Sequence, residues 1–231
     1  DIKLPLFDNR LSEIKEIISV YTKESFIGFF ADFIRNNKIR GFDEFSEKIK
    51  ETIDLKYEVL NQLITEDIMK RDKNDEKNYV YNIQIKNVSF PENKQIGNNF
   101  EEPPPGLSMM INYDKDFLET DSLFYKTQAE GLQDFKFEKS RIIQKVKYIT
   151  PKELESFYLK TGQNFWKEFS HKYPNTCIKT FSVPFFNKEK NTCIVTVSAS
   201  CGPLWGGGFM GIYKKVKGKW ILIGRRDSWI S

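Results

Sequence analysis

The chain has 231 residues, enough to bury a core of its own, and at 39% hydrophobic and 15% aromatic it is too apolar for a disordered polymer. Its net charge of +4 is the small difference between 36 basic and 32 acidic residues, with no Lys/Arg block longer than a pair, which argues against nucleic-acid binding. No apolar run approaches the ~20 residues that a membrane-spanning helix requires.

The first stretch, from Asp8 to about Arg71, has helical spacing. Leu11, Ile14, Ile17, Ile18 and Tyr21 share one side, and Ser25 to Asn37 carries Phe26, Phe29, Phe30, Phe33 and Ile34 inward. A third helix is predicted from Asp43 to about Lys70, broken near Asp54, with Val59, Leu60, Leu63, Ile64 and Ile68 on its buried side. Charged, turn-prone residues follow from Arg71 to Lys77. Tyr79 to Phe90 then alternates, placing Tyr79, Tyr81, Ile83 and Ile85 on one face of a strand.

Pro91 to Gly106 includes Pro103-Pro104-Pro105-Gly106, which rules out a central strand or a helix interior because proline fixes φ and donates no hydrogen bond. Leu107 to Tyr113 reads as a strand and Asp121 to Leu132 as a short helix. A further strand is expected within Phe135 to Ile149, its wet face carrying Lys139, Arg141, Lys145 and Lys147. Thr150-Pro151-Lys152-Glu153 is a helix start: Thr caps, Pro suits the first turn, and Glu three residues after Thr completes a capping box. That helix is predicted to run to about Lys172, burying Leu154, Phe157, Tyr158, Phe165, Trp166 and Phe169, and Pro174 ends it.

After Pro174 the period becomes two. Cys177 to Phe186, Thr192 to Cys201, Phe209 to Val216 and Trp220 to Arg226 read as four antiparallel strands, with Lys217-Gly218 as a two-residue turn. If Asn187 to Asn191 is the first loop, Phe181 faces Val197, Val183 faces Val195 and Phe185 faces Cys193, so the large apolar residues share a face. Thr180 with Ser198 and Ser182 with Thr196 take the other. The same register sets Cys177 opposite Cys201, close enough for a disulfide, which would imply an oxidising compartment; two reduced, buried thiols are the alternative. Cys193 remains a free thiol in either case.

The fold class that results is α+β: N-terminal helices packed with a mostly antiparallel sheet and a C-terminal four-stranded β-meander. It reads as one compact domain over residues 1–231, or as a helical part, 1–75, and an α+β part, 76–231.

Chemistry is harder to read. Cys201, before Gly202 and close to Gly206, Gly207 and Gly208, has the small neighbours that a nucleophilic thiolate with an oxyanion site uses, and His171 is the only imidazole available as its base. The bland reading makes the glycines a tight corner, with Leu204 and Trp205 plugging the core. No GxxxxGK[ST] pattern is present, and three cysteines without CxxC spacing offer no metal site, so no cofactor is expected. Glu101-Glu102, Asp114 and Asp116 read as solvated charge. Arg225 and Arg226, adjacent on a strand, point to opposite faces. Trp205, Phe209 and Arg225 are the candidate binding residues.

The order Cys201-Gly-x-Leu-x-Gly-x-Gly208, then Tyr213-Lys-Lys-Val-Lys-Gly-Lys-Trp220 and a terminal Trp229-Ile-Ser231, resembles the C-terminal module of a group of bacterial proteins that are often exported or lipid-anchored. Tyr125-x-x-Gln128 and Phe135-Lys-Phe-Glu-Lys-Ser140 extend the resemblance over about residues 121–231. It implies no particular activity. Those proteins carry a second cysteine where this chain has Trp205, so the resemblance leaves Cys177 as the partner for Cys201. It also implies a periplasmic or outer-surface location, a cytoplasmic one being the alternative. The chain opens on Asp1 rather than Met, so an export signal or lipid anchor, if the protein carries one, lies upstream of this sequence.

The leading expectation is a non-catalytic exported protein that binds a protein or small-molecule partner. A Cys-dependent hydrolase or transferase and a cytosolic immunity or inhibitor protein are the alternatives.

Overall fold

The computed structural model describes residues 42–71, 77–91, 108–161 and 165–230. The helices expected around Leu11 and Ser25 to Asn37, and the proline segment around Pro103, lie outside them. The chain divides into two units, Asp1–Asp54 and Leu55–Ser231, and the side-chain contacts discussed below lie in the second.

Helix α1 spans Phe42–Met69 without a break at Asp54. It buries Val59, Leu60, Leu63 and Ile64, as their three- and four-residue spacing predicts. Strand β1 (Asn78–Gln84) follows, then β2 (Asn87–Ser89) and β3 (Ser108–Met110), which pair with each other in a small parallel sheet. Helix α2 (Ser122–Gln133) turns Tyr125 and Leu132 inward and leaves Leu123 exposed.

The strand expected between Phe135 and Ile149 shrinks to β4, Lys147–Tyr148, preceded by a 3-10 turn at Lys139–Arg141. The reason lies on α1. Tyr57 accepts the Glu138 amide through its hydroxyl at 2.7 Å, while the Asn61 side chain donates to the Arg141 carbonyl at 3.0 Å and accepts from the Ile143 amide at 2.8 Å. Helix side chains thus satisfy backbone groups that a neighbouring strand would otherwise take. The four basic residues therefore do not share one strand face; Arg141 lies over the Tyr57 ring instead, 3.9 Å from its centroid.

The single helix expected from Thr150 to Lys172 is two, α3 (Pro151–Thr161) and α4 (Phe165–Lys172). Half of the capping box forms: the Glu153 amide donates to Thr150 Oγ1 at 3.1 Å. The Glu153 carboxylate turns instead to Lys172 Nζ at 2.6 Å and the Tyr173 hydroxyl at 2.7 Å, clamping the end of α4 to the start of α3. Tyr158, expected inside, is 61% exposed.

Strands β5 (Thr176–Ser182), β6 (Phe185–Phe186), β7 (Thr192–Gly202), β8 (Trp205–Val216) and β9 (Lys219–Ile230) complete the larger sheet, in the order β4-β1-β5-β7-β8-β9 with β6 beside β7. β5, β7, β8 and β9 form the expected antiparallel meander, and β1 joins it parallel to β5. Phe181↔Val197 and Thr180↔Ser198 pair in the expected register. Beyond Ser182 the strand breaks at Val183-Pro184 and the register slips by one, giving Phe185↔Ile194 and Phe186↔Cys193. Phe185 consequently leaves the face it was expected to share with Phe181, because each one-residue slip reverses the side chains. Lys217 (φ 49°) and Gly218 (φ 78°) form the two-residue turn between β8 and β9.

The register sorts the sheet into two faces. Tyr81, Lys179, Phe181, Val197, Tyr213 and Trp220 share one face, and α1 is bonded to it: Glu58 and Gln62 to Trp220, Asp67 to Lys179 and Tyr81. On the opposite face Val80 and Ile178 pack with Ile149, Phe157 and Phe169 under α3 and α4. Farther along that face, Tyr125 of α2 reaches Phe185, and Asp116 and Asp114 anchor Lys214 and Arg226. Among the described residues, no helix is long and apolar enough to cross a membrane.

Candidate functional site

Cys177 and Cys201 are joined by a disulfide with a Cα–Cα distance of 4.2 Å, bridging β5 and β7. The bond consumes the thiol that nucleophilic chemistry would need, since only a thiolate attacks. His171 sits exposed on α4, the helix that covers the face opposite Cys177 and Lys179, so the structure does not bring this imidazole to Cys201. Cys193 is free but fully buried, and burial pushes its thiol well above the ordinary range. No group of metal-ligating side chains occurs among the described residues.

The glycine-rich run is not a loop. β7 and β8 meet through the two-residue link Pro203-Leu204, Gly202 pairs with Trp205, and Gly206 to Gly208 lie within β8 opposite Ser200, Ala199 and Ser198. Leu204 is 86% exposed and Trp205 51%, so neither plugs the core. This end of the meander instead presents aromatic surface. The Lys77 ammonium lies 4.3 Å from the Trp205 ring centroid, and the Arg225 guanidinium 4.5 Å from that of the partly exposed Phe209. Ile230, paired with Gly207, is 94% exposed.

Trp205, Phe209 and Arg225 are brought to one end of the α1 face by pairing alone. Phe209 stands two residues from Gly211, whose β9 partner is Arg225, and Trp205 two residues from Gly207. Arg225 and Arg226 do point apart: Arg226 reaches across the other face to Asp114 at 3.1 Å, whereas Arg225 has no carboxylate partner among the described residues. Asp114 and Asp116 are structural rather than solvated charge. Asp114 Oδ1 accepts the amides of Asp116 and Phe117, and Asp116 holds Lys214.

An ion cluster that sequence spacing does not reveal borders this region. Asp67 of α1 takes Lys179 Nζ at 2.7 Å, the Tyr81 hydroxyl at 2.8 Å and Arg71 at 3.1 Å, and Arg71 also touches the Tyr81 hydroxyl. Burial alone would raise the Asp67 carboxyl, but the Lys179 ammonium and the bonds from Tyr81 and Arg71 outweigh it and hold the group below its usual range. Tyr81 is pushed up by burial and by the Asp67 charge. Both cations beside Asp67 are therefore committed to it, whereas Arg225, stacked on Phe209, has no carboxylate partner among the described residues. Compared with protein-family models, curated proteins and solved structures, the chain matches none.

Proposed function

We propose that this is a non-catalytic, exported binding protein whose partner is a protein surface presenting a carboxylate to Arg225. The observation that carries the reading is the Arg225 guanidinium, stacked on Phe209 and without an acidic partner among the described residues, at an end of the sheet where Trp205 is half exposed. A stacked guanidinium is held in one plane, so its N–H fork is ready for bidentate pairing. Exposed tryptophan and arginine with aromatic support are the residue types that dominate the centres of protein interfaces.

Two further points support the extracytoplasmic part of the proposal. The Cys177–Cys201 disulfide suits an oxidising compartment, whereas a cytosolic inhibitor would keep the pair reduced. The resemblance of the C-terminal module to exported proteins leads the same way.

The test is affinity capture from the extracytoplasmic fraction by the full chain, run beside Arg225→Ala and Trp205→Ala. A partner held by the unsubstituted chain and lost at least about tenfold from both variants is expected, since an anchor of this kind is worth about 2 kcal/mol or more and each tenfold in affinity corresponds to about 1.4 kcal/mol. Equal recovery by all three chains would sink the proposal.

A further inference from the structure

The opposite face of the sheet carries a feature that the binding reading does not use. Asn82↔Thr180, Thr180↔Ser198, Ser198↔Gly208 and Gly208↔Trp229 are consecutive register pairs, so these five residues form one straight row across β1, β5, β7, β8 and β9. Facing residues on paired strands point to the same side. The row therefore lies on the face of Val80 and Ile178, beside the apolar block under α3 and α4, with neighbouring positions about 4.8 Å apart.

What makes the row unusual is its unspent hydrogen-bonding capacity. Asn82 is fully buried, yet neither its Nδ2 nor its Oδ1 has a hydrogen-bond partner among the described residues. Buried carboxamides are normally satisfied, because an unpaired one forfeits the hydration it had in water. The half-buried Thr180 and Ser198 hydroxyls also make no hydrogen bond within the described structure, nor does the Trp229 indole N–H. Gly208 brings that indole close. The point where a Cβ would stand at position 208 is 2.8 Å from both Trp229 Nε1 and Ser198 Cβ, so the ring lies against bare backbone next to the hydroxyl.

We propose that this row binds a neutral oligosaccharide. It contains no ionisable side chain, so nothing in it offsets the charge of a phosphate or carboxylate. Its carboxamide and hydroxyls each donate and accept, matching the bifunctional hydroxyls of a sugar, and the indole supplies an apolar wall with a polar edge for a pyranose ring. An extended peptide would need unpaired strand edges, whereas the backbone groups of β5, β7 and β8 are spent within the sheet.

The experiment titrates the full chain with cellohexaose, maltohexaose, xylohexaose and chitohexaose by calorimetry, beside Thr180→Val, Ser198→Ala and Arg225→Ala. Thr180→Val keeps the shape and β-propensity of the strand and replaces only the hydroxyl, by a methyl group, and circular dichroism checks its fold. At least one glycan is expected to bind saturably, with affinity falling about tenfold in Thr180→Val and Ser198→Ala, the worth of one lost hydrogen bond. Arg225→Ala should bind as the unsubstituted chain does, which separates this site from the protein-binding end of the α1 face. Absence of binding to all four glycans overturns the proposal, and so does binding that both hydroxyl variants leave unchanged.

Discussion

An alanine methyl at position 208 would stand 2.8 Å from Ser198 Cβ, 2.8 Å from Trp229 Nε1 and 2.9 Å from the Val197 carbonyl oxygen. The indole could swing away, but the carbonyl belongs to the paired strand and cannot yield without disturbing the β7–β8 ladder. Gly208→Ala should therefore destabilise by about 1–3 kcal/mol, the usual cost of forcing a methyl into a filled space. Gly202→Ala serves as the control, since a Cβ there meets nothing within 4 Å. Urea titration of the two variants decides the matter: equal midpoints would show that the strand gives way at 208. A contrasting case is Tyr148, whose hydroxyl is buried without a partner among the described residues and whose acidity burial suppresses, raising the phenol to about 12. Removing an unsatisfied hydroxyl forfeits no hydrogen bond. Tyr148→Phe should leave stability within about 0.5 kcal/mol or raise it, and a loss above about 1 kcal/mol would mean that the hydroxyl has a partner after all.

At the scale of elements, the disulfide ties β5 to β7 across a sequence separation of 24. Closing a loop of that size restricts the unfolded chain enough to be worth about 3 kcal/mol, so Cys177→Ala with Cys201→Ala should lower stability by that order in denaturant titration. A pair of variants as stable as the parent would show the bridge to be dispensable to the fold. The pairing itself is legible in the amino-acid sequence, because Phe181, Val197, Thr180 and Ser198 leave one register that sorts apolar from hydroxyl side chains. The slip after Ser182 is not legible there. Pro184 cannot donate to a ladder, and the residue count across the break depends on how β6 rejoins β7. Nor can local pattern place Asn82 beside Thr180: β1 and β5 pair in parallel with almost a hundred residues between them, and nothing in either strand names the other. The aromatic end of the meander falls between these cases. Trp205, Phe209 and Arg225 are identifiable by type, but the glycines between them read as a corner when they are strand, and exposure of Leu204 follows only once Pro203-Leu204 is seen as the hairpin tip.

Across the molecule, two sets of displaced titratable groups among the described residues bound the stability from either side. Asp67 and Glu153 sit below their ordinary values of 3.8 and 4.5, Asp67 because Lys179, Tyr81 and Arg71 outweigh its burial, Glu153 because Lys172 and Tyr173 bond it. A carboxyl depressed in the folded state binds fewer protons there than in the unfolded chain. Its contribution is present above the unfolded value and disappears as pH falls through the folded one, so acid weakens the protein below about pH 4. Tyr81, Tyr125 and Tyr213 are displaced the opposite way by burial from an ordinary value of 10.0, with Tyr125 at about 12. Their contribution is intact below pH 10 and is lost as the buried phenols are forced to ionise. Stability should accordingly form a plateau with an acid limb and an alkaline limb. Asp67→Asn isolates the acid limb, since it removes the charge that Lys179 and Arg71 share while nearly preserving shape. At pH 7 the variant should be less stable by about 2 kcal/mol, the scale of a charge-assisted hydrogen bond. As pH is lowered towards 2.5 the difference should shrink, because the native carboxyl takes up its proton and comes to resemble the amide. Urea midpoints measured across that range for both chains give the answer directly. A gap that stays constant with pH would show that the cluster around Asp67 stabilises the fold through shape and packing, with no part played by its charge.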